Sequence, residues 1–346
     1  MPIFIFVGSV AICATNQESL FMKNIPLHLA LVAVAAAVFS GCATFSGHPA
    51  FPPSGASDKK SDEPKALLTW TSGPKSKEKG DGDDADKNGA AKKKDGDGNG
   101  GDKEPERNTI ATDRPDFVEA TSAVGKGRIQ LEGGYTFVRD RNAGERVVLH
   151  SYPELLLRIG MFAEWFEFRI GQNFGSENDS TAASSIRGGQ DLYLGMRFDI
   201  AEQDGIFPET SLIVQTTVPT GHRAFSSHQM LPGFNLLYGW EVIENKLTFA
   251  GSTQLNRRVD DDRHYYAEYA QAFTTGFKWT KRLGQYTEWF ALVPCGANTG
   301  VRVEHYVDGG FTYLITDNFQ LDIRIGVGLN RAADDFFAGT GFGIRY

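Results

Sequence analysis

From residue 128 onward, ionisable and amide side chains fall on alternate positions of short apolar segments. Gln130 and Glu132 stand beside Ile129 and Leu131. Glu154 and Arg158 accompany Leu155, Leu157 and Ile159, and Glu167 and Arg169 separate Phe166, Phe168 and Ile170. The series continues through Asp191, Arg197 and Asp199, Glu241, Glu268 and Lys278, Asp308, and Asp322 and Arg324. Successive side chains of a strand point to opposite faces, so these groups share one side of a sheet and the apolar residues share the other. Around an enclosed aqueous bore, mixed acids and bases would pair across strands and set selectivity by field and width. The same pairs would equally serve to hold a closed, plugged bore together.

Other chemistries are weaker. His222 and His228 flank Ser226 and Ser227, the residue types of an acyl-transfer site. A serine nucleophile needs an oriented base and an oxyanion hole, and no Gly-x-Ser-x-Gly elbow is present. A lipid hydrolase is therefore the second alternative, and no enzyme is expected. Asp95, Asp97, Asn99 and Glu106 fit a calcium-loop spacing. Pro105 stands where the exit helix would begin, and an Asp-Gly-Asn tract matches this spacing by chance. The three cysteines, Cys13, Cys42 and Cys295, lie far apart with no metal-ligand spacing, so neither a metal, a cofactor nor a disulfide framework is expected. With a net charge of -8, no nucleic acid partner is expected.

The N-terminal hundred residues are of another kind. Met22-Lys23-Asn24 opens a positive, then apolar, then small-residue pattern that ends at Ser40-Gly41-Cys42. This reads as a secretory signal in segment 1–42, with translation starting at Met22. Ser40-Gly41-Cys42 resembles a lipobox with Cys42 as the lipid anchor, although Phe39 replaces the usual aliphatic residue. Residues 43–108 are dominated by Lys, Asp, Gly, Pro and Ser, which bury too little apolar surface to offset chain entropy. They are expected to form a disordered charged linker.

Residues 109–346 alternate in about twelve segments of bilayer-spanning length. The connections 139–145, 175–188, 221–232, 257–264, 296–302 and 331–335 are the longer, polar ones. They interleave with the shorter 160–164, 201–207, 243–246, 281–284 and 316–318. Short periplasmic turns alternating with long external loops are the rhythm of an outer-membrane barrel, and a soluble sandwich has no reason to keep it. Trp165, Trp240, Trp279 and Trp289 are placed near the short-turn ends, as interfacial aromatics would be. The last strand, 336–346, ends on the aromatic Tyr346. The glycines at 326, 328, 339, 341 and 343 share the polar face, where they would open a passage or ease curvature. The expected fold is all-β, an antiparallel up-and-down transmembrane barrel.

Four stretches carry a family resemblance: Thr112-Asp113-Arg114-Pro115-Asp116-Phe117, Pro153-Glu154-Leu155-Leu156-Leu157-Arg158, Val218-Pro219-Thr220-Gly221, and Gly328-Leu329-Asn330-Arg331-Ala332-Ala333-Asp334-Asp335. In this order they resemble the phenol-degradation meta-pathway barrel family over residues 110–346. The resemblance implies an outer-membrane channel or transporter for small, hydrophobic or aromatic molecules. The lipobox and the long linker depart from that family. The partners expected are outer-membrane lipid, a small solute, and the barrel-assembly machinery acting on the strand that ends at Tyr346. A closed structural or adhesive barrel without transport is the first alternative.

Overall fold

The computed structural model describes residues 65–68, 109–141, 146–298 and 301–346. The signal segment, Cys42, the calcium-like spacing at Asp95 to Glu106 and most of the linker lie outside the described residues.

The described strands are β1 (Ile129–Asp140), β2 (Val147–Gly160), β3 (Phe166–Asp179), β4 (Ser184–Gly189), β5 (Leu192–Ala201), β6 (Glu209–Val218), β7 (Leu231–Ile243), β8 (Leu247–Val259), β9 (Tyr265–Lys278), β10 (Leu283–Cys295), β11 (Glu304–Thr316), β12 (Phe319–Gly328) and β13 (Phe336–Arg345). Each pairs antiparallel with its neighbours, and β1 pairs with β13. The sheet therefore closes on itself, and among the described strands only β4 pairs on one side alone. Tyr346 completes the seam: its N–H donates to Ile129 O at 2.8 Å and its carbonyl accepts from Ile129 N at 3.0 Å.

The expected loop 175–188 is a hairpin instead. β3 runs on to Asp179 and pairs with β4 above Phe174, then with β5 below Gly171. β4 and β5 thus act as one broken stave, which makes the barrel twelve-stranded. Polar, weakly alternating residues 175–188 hide this extension, because outside the bilayer neither face of the hairpin has to be apolar.

The two faces differ as lipid and bore require. On β12, Leu321, Ile323, Ile325 and Val327 are all at least 41 % exposed, whereas Asp322 is 2 % exposed. A barrel that turns aliphatic residues outward and carboxylates inward is built to sit in hydrocarbon. Trp279 lies at a short turn, as expected. Trp289 does not: it pairs with Phe273 and Val307 at mid-strand. There it belongs to an outward run in which Phe249 stacks on Phe273, Phe273 on Trp289 and Trp289 on His305.

Candidate transport site

Residues 109–128 are not a simple lead-in. They form a loop inserted into the bore from its short-turn end. Ile110 N donates to Asp317 O in the β11–β12 turn at 2.7 Å, and Gly127 N donates to Gly160 O at the β2–β3 turn at 3.0 Å. Between these points the segment has no regular secondary structure. Its buried backbone groups must then find partners on the barrel wall, and the inward polar residues supply them.

Arginines on three neighbouring staves grip the middle of this plug. The carboxylate of Asp113 meets Arg158 Nη1 at 3.2 Å, Arg169 Nη2 at 2.6 Å and Arg197 Nη1 at 3.7 Å. Arg169 also donates to Glu119 at 2.9 Å. Arg158 spans Glu167 through Nε at 2.8 Å and Nη2 at 2.9 Å, and reaches Glu132 at 3.2 Å. Arg197 donates to Ser122 O at 2.9 Å and to Ala120 O. Carboxylates cap the plug's amides: Glu132 accepts from Asp113 N at 2.9 Å, Asp199 from Ala123 N at 2.8 Å and Glu167 from Val124 N at 2.9 Å. Gln130 donates to Ala111 O at 2.8 Å. The expected cross-strand pairing is thus only part of the arrangement, because most of these groups serve the inserted segment.

Beside this grip, Arg114 of the plug pairs with Glu154 on β2 and lies 3.5 Å from Asp322 on β12. Arg324 donates to Pro115 O at 3.0 Å. The inward glycines do not open a passage here. A Cβ at Gly134 or Gly341 would overlap the Arg114 guanidinium, and one at Gly343 would overlap Thr112. Their missing side chains are the slot that the plug fills.

Of the remaining expected bore residues, Asp308 is buried and accepts from the Tyr286 hydroxyl at 2.9 Å. Glu268 takes the Nε of Arg258 at 2.8 Å on the external half of β9. Asp191 ties down the loop after β6, accepting from Gly221 N at 3.0 Å and from Ser227 N and Oγ at 2.9 and 2.8 Å. Glu241 and Lys278 are exposed at the short-turn rim and do not join the plug contacts. In the Ser-His loop, Ser227 Oγ donates to Asp191, and Ser226 Oγ accepts the His228 backbone N–H at 3.0 Å. The His228 ring meets Arg223 O instead, at 3.2 Å. Among the described residues, neither serine is bonded to an imidazole.

Sequence reading missed a second, apolar wall. Phe117 of the plug stacks on Phe290 at 4.7 Å, Phe290 stacks on Tyr306 at 4.7 Å, and Tyr306 meets Phe337 edge-on. Val118 packs with Ile213, Leu237 and Ala272. The doublet Phe336-Phe337 held a signal for this: if one ring faces lipid, the next must face the bore. Beside the plug, a cavity of about 430 Å³ is bordered by Val118, Ala120, Glu209, Gly239, Ala250 and Thr274, among others.

The sequence profile of the family described as "Putative MetA-pathway of phenol degradation" matches residues 112–346. The chain belongs to this family. The match begins inside the plug, so plug and barrel fall within one family unit. Among solved structures, the chain is similar to an outer membrane channel from Pseudomonas putida F1, with a TM-score of 0.52 and 13 % identity over 67 % of this chain and 99 % of that one. NanC porin follows at TM-score 0.42 and 10 % identity, covering 62 % of this chain and 98 % of that one. The translocator domain of the autotransporter NalP from Neisseria meningitidis also scores 0.42, at 11 % identity over 63 % and 88 %. At such identities the first likeness speaks for the fold, a closed outer-membrane barrel. No curated protein matches the chain.

Proposed function

We propose that this family member is a plugged outer-membrane channel for passive passage of small molecules, hydrophobic and aromatic ones included. The observation that carries the reading is the two-walled bore. Arginines of β2, β3 and β5 hold the plug on one wall, while on the other Phe290 stacks between the plug's Phe117 and Tyr306, and Phe337 meets Tyr306 edge-on. Flat aromatic solutes gain offset stacking of about 0.5–1.5 kcal/mol per ring pair on such a surface, beyond their burial. The family's description, phenol degradation, favours the same class.

Deleting residues 109–125 tests this. Single-channel conductance in planar bilayers, and flux of phenol into loaded vesicles, should both rise well above those of the intact chain. A barrel that stays closed without the segment would reject transport. That outcome would favour the second reading, a closed structural barrel, which draws its support from the completeness of the plug's grip.

The targeting features extend the proposal. Translation from Met22 and acylation of Cys42 would tether the linker to the membrane, and intact-mass measurement of the mature protein checks both. Recognition by the barrel-assembly machinery through the last strand is supported by the seam that Tyr346 completes. Removing Tyr346 should lower the yield of assembled barrel in outer membranes.

A further inference from the structure

The plug has a second grip, electrostatically unlike the arginine one. Glu288 on β10 and Asp308 on β11 stand directly opposite in the ladder, and both point into the bore at 1 % and 5 % exposure. Glu288 accepts the plug amides of Phe117 at 2.6 Å and Val118 at 2.8 Å. Asp308 takes the Tyr286 hydroxyl on Oδ2, while its Oδ1 is buried without a hydrogen-bond partner among the described residues. The plug's own Asp116 completes a trio of mutually interacting carboxyls. Among the described residues, none of the three is ion-paired. Arg324 on β12, a cation whose charge acts on Asp116 and Asp308, donates to Pro115 O and to Thr136 Oγ1 at 2.7 Å, with its face over Phe337. Of the other charged groups on this part of the plug, Asp113 is held by the three arginines of the opposite wall, Glu119 by Arg169 and Arg114 by Glu154.

Like charges directly opposite on one sheet face repel, and burial away from water strengthens that repulsion. Three carboxylates beside one arginine cannot all ionise without pushing apart. We propose that Asp116, Glu288 and Asp308 form a proton-operated latch on the plug. While Asp116 and Asp308 retain their protons, the Phe117–Val118 amides stay on Glu288, whose two oxygens accept one each. As pH rises, the carboxyls lose their protons to bore water, and the charged Asp116 carries this part of the plug away from β10. The arginine grip has matched charges and keeps the other part seated, so the plug swings rather than leaves. The consequence for transport rests on the channel reading, but the motion does not.

The motion is read by a spin label on Val118→Cys, a position on the moving part of the plug whose amide sits on Glu288 and which borders the cavity. Between about pH 5 and about pH 9, its spectrum should shift from immobilised to mobile. In the Asp116→Asn, Asp308→Asn background, which leaves Glu288 and its two plug bonds in place, the label should stay immobilised throughout. An immobile label across the range, or the same shift in both backgrounds, overturns the latch. Conductance recorded over the same range separates the two proposals. A freed label with flat conductance keeps the latch and rejects transport, whereas rising conductance with an immobile label does the reverse.

Discussion

Asp113 shows how much a single side chain organises here. Three buried guanidiniums converge on it from β2, β3 and β5. Removing one partner of a buried ion pair leaves uncompensated charge, at a cost of about 3–5 kcal/mol. Asp113→Ala should therefore lower the thermal midpoint of the detergent-solubilised barrel and raise its baseline conductance, because Arg158, Arg169 and Arg197 would lose their common anchor. Gly341→Leu should raise conductance by a steric route, since any side chain there enters the space of Arg114. Asp191 offers a pH-dependent case outside the membrane. Partial burial raises its carboxyl, but hydrogen bonds from Ser226, Ser227 and the Gly221 amide overcome this and hold it below the usual carboxylate value. A depressed acid contributes stability above its unfolded value, and that stability is lost as pH falls through the folded one. The loop held by Asp191 should stay latched at neutral pH and loosen only in strong acid. Hydrogen-exchange protection of the Gly221 and Ser227 amides, corrected for the intrinsic pH dependence, measures this, and Asp191→Asn should lose the protection already at neutral pH.

At the scale of elements, the staves and the plug obey different rules. A stave's hydrogen bonds are satisfied by its neighbours, so its sequence has only to keep faces apart. Ile325 is outward and 58 % exposed on β12. Ile325→Arg should cost about 2–4 kcal/mol if this position lies near the bilayer midplane, as read from refolding into lipid vesicles at graded urea. The plug has no ladder of its own and depends on wall carboxylates and guanidiniums for its polar backbone. Its conformation should therefore respond to single inward substitutions that leave the staves intact. The rim adds one further contact: Leu67 N and Leu68 N donate to Asp199 O and Ile200 O at 2.9 and 2.7 Å, on the end of β5 beyond its pairing with β3. A short piece of the expected disordered linker thus uses strand geometry where carbonyls are left over.

For the whole molecule, closure is the decisive property. Because β1 pairs with β13, every stave is held on both sides, and opening the cylinder would expose two hydrogen-bonding edges to hydrocarbon. The folded barrel should survive dodecyl sulfate without heating and migrate ahead of its boiled form on a gel. Equal mobilities before and after boiling would contradict a closed cylinder.

How much of this was legible from residues alone depends on the range of the interactions. A period of two is a local property, and each stave must separate lipid from bore by itself. Strand positions, their outward faces and the alternation of short and long connections therefore followed from the sequence, as did the inward placement of Gln130, Glu132, Arg158, Glu167, Arg169 and Arg197. Where both surroundings are aqueous that constraint lapses, which is why the β3–β4 hairpin read as a loop. The plug was beyond reach for a deeper reason. Asp113 and its arginines lie on separate staves, and Glu288 meets Phe117 from the far side of the chain. No periodicity encodes which irregular segment fills a bore. Inward charges carry no sign of whether their partner will be another stave, water or the chain's own lead-in, and only closure of the cylinder around residues 109–128 decided it.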